Sequence, residues 1–434
     1  LQVYGGGSSV TRGYEAVKGG VTLDLSAHMN RVIALNETDQ TVTVQPGIWG
    51  PELERILNHA PQTLGAKRAY TVGHFPQSFE HSSVGGWVVT RGAGQNSTYY
   101  GKIEDMVRSQ EYVTPRGILR TPAYPRCATG PDINQVMIGA EGTFGVLTEV
   151  TLRVCRYQPE TTRRFSYLFK TWEDGVNAYR EVMQGEFGFP SVFRLSDPEE
   201  TDVALRMYSI ADTVADRGLK FLGFQPMARC MLLGSADGDS AYSALVARKV
   251  EAVCRRHGAL NLSLLRLTQR WEHSRFADPY MREDLLDHGI IIDTLECAVT
   301  WAQLPEVHRQ VRAVVKARPR TICMTHMSHA YPQGANLYFI FIMRESDQNA
   351  YLDMQYSILQ AVQEAGAAMS HHHGVGKQTA PWLEGQIGKP VMEVFRALKA
   401  HFDPRGLMNP GGTLGFDLSE EQRAKRWGYR GGKR

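Results

Sequence analysis

Paired cysteines are what this sequence most plainly lacks. Its six cysteines, Cys127, Cys155, Cys230, Cys254, Cys297 and Cys323, make no CxxC, and no Cys/His spacing matches a zinc site. They read as small, buried or half-buried thiols in a reducing, cytoplasmic setting. There is no apolar run of about 18 residues, so no membrane-spanning helix is expected. Charge of one sign is also missing: 48 Lys plus Arg against 45 Asp plus Glu leave a net +3. That is too slight to argue for nucleic acid as a partner. No internal repeat is visible. No initiator Met and no signal peptide are visible; the sequence opens at Leu1 inside a strand-like run, as if an upstream segment were missing.

What is present is a large apolar fraction, 42% of 434 residues, enough for two or three domains. Short β-branched runs at Leu1–Tyr4, Val21–Leu25, Val32–Leu35 and Thr41–Gln45 predict strands. Pro51 opens a helical pattern through Leu53, Ile56 and Leu57. Thr71–Gly101 is Gly/Ser-rich and aperiodic, a long loop that is either functional or disordered. Strand signals return at Ser109–Thr114 and Gly145–Val154. Beyond Arg156, helices at Trp172–Met183 and Ala241–His257 alternate with apolar runs such as Ala228–Leu233. Ser346–Gly366 predicts an amphipathic helix with Ser346 as N-cap, and Leu383–Phe402 contains another. The expected layout is α+β: a first domain over 1–155, a second over 156–365, a C-terminal segment over 366–417, and a polar basic tail over 418–434.

Gly5-Gly6-Gly7-Ser8-Ser9 follows the first strand. Consecutive glycines allow positive φ and close backbone approach, and successive N–H groups form an anion nest that suits a diphosphate. The loop has neither the Lys of a P-loop nor the spacing and following helix of a Rossmann turn. Alone, it is a weak signal and reads first as a plain tight turn. Three further small-residue segments change the balance: Pro76–Trp87, Val89-Thr90-Arg91-Gly92-Ala93-Gly94, and Gly139–Glu149. Together they would let backbone amides line an extended cofactor.

These segments resemble the FAD-binding domain of the vanillyl-alcohol oxidase and p-cresol methylhydroxylase superfamily, and most closely the alkyldihydroxyacetonephosphate synthase family. The likeness is carried by Gly73-His74, Ser78-Phe79-Glu80, Val84-Gly85-Gly86-Trp87, Thr90-Arg91 and Tyr100-Gly101-Lys102-Ile103-Glu104-Asp105. Thr129-Gly130-Pro131-Asp132-Ile133 and Glu141-Gly142-Thr143 continue it. The resemblance implies a p-cresol methylhydroxylase-type FAD domain of two α+β subdomains, incomplete at its N-terminus. To this it adds an α+β cap with an antiparallel sheet and a helical C-terminal segment returning to the flavin. It implies FAD contacts from Val3, Tyr4, Gly5, Gly6, Gly7, Ser8 and Ser9; from Pro76, Gln77, Ser78, Phe79, Glu80, His81 and Ser82; from Val89, Thr90, Arg91 and Gly92; and from Glu141, Gly142, Thr143, Phe144, Gly145, Val146 and Leu147. No His follows the first glycine loop, so the FAD is expected to be non-covalent.

His371-His372-His373 is the sharpest chemical feature. Adjacent side chains diverge from a regular element, which makes one metal shared by all three a poor reading. Imidazoles suit proton transfer and oxyanion stabilisation, though a polar loop with incidental histidines is the bland alternative. By resemblance all three lie at the flavin. Tyr338, in an apolar strand, is ordinarily a core residue; by resemblance it is the proton-exchanging Tyr, beside Asn336 where the family carries Cys. Arg194, flanked by apolar residues, needs an anionic partner, and an internal ion pair would suffice. By resemblance it is an active-site and substrate-binding Arg, and Arg282 a substrate-linked one. Glu283 and Asp284 make a local salt bridge the alternative there. The basic tail reads as solvated, or as attracted to anionic lipid with Trp427 and Tyr429.

The resemblance thus implies exchange of the acyl chain of acyl-dihydroxyacetone phosphate for a fatty alcohol, with FAD unchanged at the end, by a homodimer in peripheral contact with a membrane (peroxisomal in a eukaryote). The C-terminal Gly431-Gly432-Lys433-Arg434 is not a peroxisomal tripeptide. Two rivals remain: an FAD oxidase or dehydrogenase of a 2-hydroxy acid such as D-lactate, which could use the same Arg and His types, and a non-catalytic flavin-binding homologue.

Overall fold

The structure, a computed structural model, describes residues 1–416. The chain forms two compact units. The first comprises Leu1–Gly94, Tyr100–Tyr157 and the chain from Ser370; the second comprises Gln95–Tyr99 and Gln158–Met369. The basic tail over 418–434 lies outside the described residues.

The first unit is built on a five-stranded antiparallel sheet in the order Val32–Asn36, Thr41–Val44, Val146–Arg153, Val107–Thr114, Gly117–Arg120. Val42, Val44, Val150 and Leu152 bury one face of it, as period-2 alternation in a half-buried sheet requires. The helix Gly50–Asn58 starts with a proline in its first turn and buries Leu53 and Leu57, four residues apart. A separate parallel pair, Gln2–Tyr4 with Thr22–Asp24, delivers the chain into the first glycine loop. The aperiodic stretch 71–101 is ordered by short elements. Ser83 caps the helix Val84–Val89, its Oγ accepting from the Gly86 amide. At 3.4 Å that bond is long. Gly85 and Gly86, inside so short a helix, leave it without a visible periodicity.

The second unit holds a seven-stranded antiparallel sheet, in the order Leu260–Asn261, Arg163–Phe169, Cys230–Ala236, Val192–Ser196, Ile322–Tyr331, Gly334–Arg344, Ile290–Thr300. One face carries Phe193, Leu195, Leu232, Met327, Leu337, Phe339 and Phe341, all buried. Helices Trp172–Met183 and Ser240–Arg256 pack on one half of the sheet, and Leu304–Lys316 and Gln348–Glu364 on the other. Alternation places Arg194, Ser196, His326, Tyr338, Asn336 and Glu296 on the opposite face. Gln95–Tyr99 belongs to this unit because Ser97 Oγ meets His329 Nδ1 at 2.7 Å and Thr98 Oγ1 accepts from the Ala330 amide.

One local expectation is corrected. The helix near 346 is Gln348–Glu364, and its N-cap is Asp347, not Ser346; the Asp347 carboxylate accepts from the Asn349 amide. The stretch 383–402 contains a helix as expected, Lys389–Phe402, preceded by the end of another. Gly376–Ile387 and Lys389–Phe402 are separated by Gly388 at φ +86°, with Pro390 opening the second. Glycine tolerates that conformation, and the following Lys-Pro restarts the helix.

Candidate active site

In the first unit the glycine loops close on one another. A Cβ on Gly5 would overlap Ser83 Oγ, and one on Gly6 would overlap the His81 carbonyl oxygen; Gly7 has φ +67°. Only glycine permits this backbone-on-backbone contact. Among the described residues the amides of Gly5 to Ser9 have no backbone acceptor, and these residues are partly exposed. A row of bare N–H donors with no side-chain bulk fits a diphosphate. Ser9 Oγ, in turn, accepts from the Gly13 amide. The donor set and the cradle therefore fit a dinucleotide cofactor with an extended phosphate bridge.

The other cofactor candidates take varied positions. Val3 packs beside the cluster of Leu25, Val146 and Met408. Tyr4 meets Tyr14 edge-on at 6.4 Å. Phe79 stacks toward Trp87 at 6.4 Å, and the Trp87 indole N–H donates to Ser82 Oγ at 2.8 Å. Gln77, Ser78, Glu80 and His81 lie in the loop and turn around Phe79 after Pro76, and all are partly or fully exposed. Val89 accepts from the Glu141 amide, and Thr90 Oγ1 donates to the Gly86 carbonyl. Arg91, at φ +54°, turns to the Gln135 and Ile138 carbonyls and to Glu104. The Gly92 carbonyl accepts from the Ile103 amide. Phe144 and Leu147 are core residues, Phe144 packing on Phe402. The Thr143 carbonyl accepts from Lys399 Nζ. Gly142 has φ +77°, and Gly145 fits against the Val113 carbonyl.

The histidine segment joins this set directly. Thr11 Oγ1, just past the first loop, donates to the His373 carbonyl at 3.2 Å, and Lys102 Nζ donates to the His371 carbonyl at 2.6 Å. Glu141 is the central fastener. Its buried carboxylate accepts from the Val375 amide at 2.5 Å and the Gly376 amide at 2.9 Å, while Asn409 Nδ2 donates to its carbonyl. Burial pushes the Glu141 carboxyl up to about 7, against the pull of those two amides. The rings of the three histidines meet edge-on in succession, 5.3 and 4.6 Å apart, and His371 Nδ1 lies 3.0 Å from His372 Nδ1. The resemblance implies a cofactor contact from Glu141; its carboxylate is committed to the backbone that follows the histidines.

In the second unit, Arg194 has its anion: Nη2 donates to Glu200 Oε1, and Nη1 lies 3.1 Å from His326 Nε2. Trp271 lies 5.7 Å from the guanidinium. Glu200 is buried. Burial alone would raise its pKa, but the Arg194 guanidinium and the hydrogen bond with His326 keep it below the ordinary carboxylate range. Tyr338 is paired across strands with His326 and Glu296, and its ring stacks on His326 at 4.8 Å and 19°. Burial raises the phenol pKa, opposed by a hydrogen bond with Thr294. Asn336 Nδ2 donates to Glu296 Oε2 at 2.7 Å. Arg282 is exposed on the helix Asp278–Leu286 and acts electrostatically on the buried Asp293. Sequence reasoning missed Glu200 and His326. The signal for His326 was the run of polar residues Thr325, His326, Ser328 and His329 in an otherwise apolar strand; Glu200 had none.

The chain matches two family models: an FAD binding domain over residues 1–121 and the C-terminal domain of FAD-linked oxidases over 158–413. It is 30% identical over 426 residues to an alkyldihydroxyacetonephosphate synthase of Dictyostelium discoideum, covering 94% of this chain and 68% of that one. It is 30% identical over 424 residues to an uncharacterised FAD-linked oxidoreductase of Escherichia coli K12, covering 93% and 82%. A solved alkyldihydroxyacetonephosphate synthase superimposes with a TM-score of 0.76 at 27% identity, over 94% of this chain and 72% of that one. The α+β architecture is accordingly the p-cresol methylhydroxylase-type FAD fold with its oxidase-type C-terminal domain. With its glycine cradle, its histidine segment and this similarity along nearly all of its length, the chain belongs to the alkyldihydroxyacetonephosphate synthase family of FAD-linked oxidases, and FAD is its cofactor.

Proposed function

We propose that this protein is an FAD-dependent alkylglycerone-phosphate synthase. It exchanges the acyl chain of acyl-dihydroxyacetone phosphate for a fatty alcohol, forming an ether bond with no net redox change. The observation that carries the reading is the direct wiring of the histidine segment to the glycine cradle through Thr11, Lys102 and Glu141. Residues 3–9, 76–82, 89–92 and 141–147 hold the FAD by backbone and small side chains, without a covalent link. When bound, FAD supplies an electrophilic ring system in a site shielded from water.

The side chains do the rest. His371, His372 and His373 donate hydrogen bonds to the substrate's ketone oxygen as enolate character develops. Tyr338 Oη exchanges the proton at the carbon next to the ketone. Arg282, exposed on its helix, is the substrate-side cation for the phosphate. Arg194, already facing Glu200, belongs to the polar group around Tyr338.

The finer part of the proposal is a homodimer in peripheral contact with a lipid surface. Among the described residues no helix is long and apolar enough to cross a membrane. A surface groove in the second unit is lined by Ile210, Ala215, Leu264 and Leu265 together with Arg266 and Arg270. Leu264 is 97% exposed and Phe221 91% exposed. Apolar side chains ringed by cations suit an anionic bilayer surface.

The test is an exchange assay with labelled fatty alcohol, followed with the visible spectrum under anaerobic conditions. Incorporation of label with the flavin still oxidised at the end supports the reading. No exchange, together with bleaching of the flavin by 2-hydroxy acids such as D-lactate, refutes it in favour of an oxidoreductase.

A further inference from the structure

The group around Tyr338 contains a histidine whose protonation is dictated by its neighbours. A guanidinium can only donate hydrogen bonds. Arg194 Nη1 lies 3.1 Å from His326 Nε2, so that nitrogen must accept. The ring proton then sits on Nδ1, which donates to Glu200 Oε2 at 3.2 Å. A second proton on Nε2 would break the bond from Arg194 and set two cations against each other. Glu200 balances Arg194, and the imidazole between them is neutral. The position is fixed from three sides. Glu200 sits in the first turn of the helix Pro198–Met207, its amide donating to the capping Asp197. Arg194 and His326 lie on neighbouring strands. The imidazole face lies on the Tyr338 ring, 4.8 Å away and 19° from parallel.

We propose that Glu200 and His326 are positioning residues for Tyr338: Glu200 locks His326 as a neutral Nδ1–H tautomer, and that ring holds the phenol and spaces it from Arg194. The proposal rests on the role given to Tyr338 above. Arg194 then serves the phenol through His326, with two of its five N–H donors directed at Glu200 and His326. The charged and titratable groups facing His326 and Tyr338 are Arg194, Glu200 and Asp197 on one side and Asp293 and Glu296 on the other. Asp197 is itself matched by Arg312, and Glu296 accepts from Asn336. Removing the Glu200 charge would leave the Arg194 cation unopposed beside the phenol.

Two measurements on the FAD-loaded protein decide it. In ¹⁵N-histidine NMR, the signal lost in His326→Asn should show a protonated Nδ1 and a bare Nε2, without titrating between about pH 5.5 and 8.5, the range in which a free imidazole changes charge. In the exchange assay, Glu200→Gln should lower kcat about 10- to 100-fold, with both KM values within about twofold. The alkaline limb of its kcat profile should move down by about one pH unit. Glu200→Asp should recover part of kcat. A doubly protonated or Nε2–H His326 overturns the proposal. So does Glu200→Gln with unchanged kcat and pH profile, or with a raised KM alone. If Glu200→Gln does not fold, Glu200→Asp must still shift the same limb in the same direction, and an unshifted limb overturns the proposal. If the wild type shows no exchange at all, the functional reading fails alone, and the tautomer measurement still decides whether the lock exists.

Discussion

Replacing Glu141 with Ala should weaken the first unit and loosen its hold on FAD together. The carboxylate is buried and accepts two amides, from Val375 and Gly376. Alanine leaves both donors without an acceptor. An orphaned buried donor costs about 1–3 kcal/mol, so the pair costs about 2–6 kcal/mol. For a folding unit of roughly 200 residues, each kcal/mol lowers Tm by about 2–4 °C, which gives a drop on the order of 4–24 °C. The histidine segment is freed at the same step, so the exchange rate should fall further than FAD occupancy does. Glu141→Gln keeps one acceptor and should fall between the two. The pH dependence has a definite sign. The carboxyl is raised from 4.5 to about 7 by burial, so the folded state holds its proton more tightly than the unfolded chain. This stabilising contribution is complete below about pH 4.5 and is lost as the pH rises toward 7. The slope should vanish in Glu141→Gln. Differential scanning calorimetry with parallel absorbance at the flavin band reads all of this. A Glu141→Ala protein that melts like the wild type at equal FAD loading would refute the reasoning.

Gly6→Ala must push the first loop off the His81 carbonyl, so FAD affinity should fall at least about tenfold while the far-ultraviolet spectrum stays native; equilibrium dialysis checks it. Tyr338→Phe removes the proton carrier and should cost about 10²–10⁴ in kcat with normal FAD binding; an active Phe variant would remove the phenol from the chemistry. Asp347→Ala deletes the cap of Gln348–Glu364 and should cost about 1 kcal/mol in a urea melt, whereas Ser346→Ala should cost nothing measurable.

Local chemistry is legible from residue type and spacing. Trp172–Met183 reads as a helix because its apolar residues recur at helical spacing, and Pro51 marks the start of Gly50–Asn58 because it lacks the N–H that a first turn leaves unused anyway. The glycine loops are readable because only glycine allows such turns. At 346–348 two adjacent residues could each cap the helix, and only the backbone path chose Asp347. The short helix Val84–Val89 is hidden because its glycines carry no side-chain pattern.

The sequence by itself determined which chemistry this protein carries: bare backbone amides in glycine turns, a run of imidazoles, a phenol in a strand. Those follow from residue type and near neighbours alone. The tertiary structure decided what each group is committed to. It sent the Glu141 carboxylate to the amides after the histidines, and it gave Arg194 an anion six residues away and an imidazole 132 residues away. Such choices depend on which strands and loops meet, and a buried charge takes its state from partners that are distant along the chain.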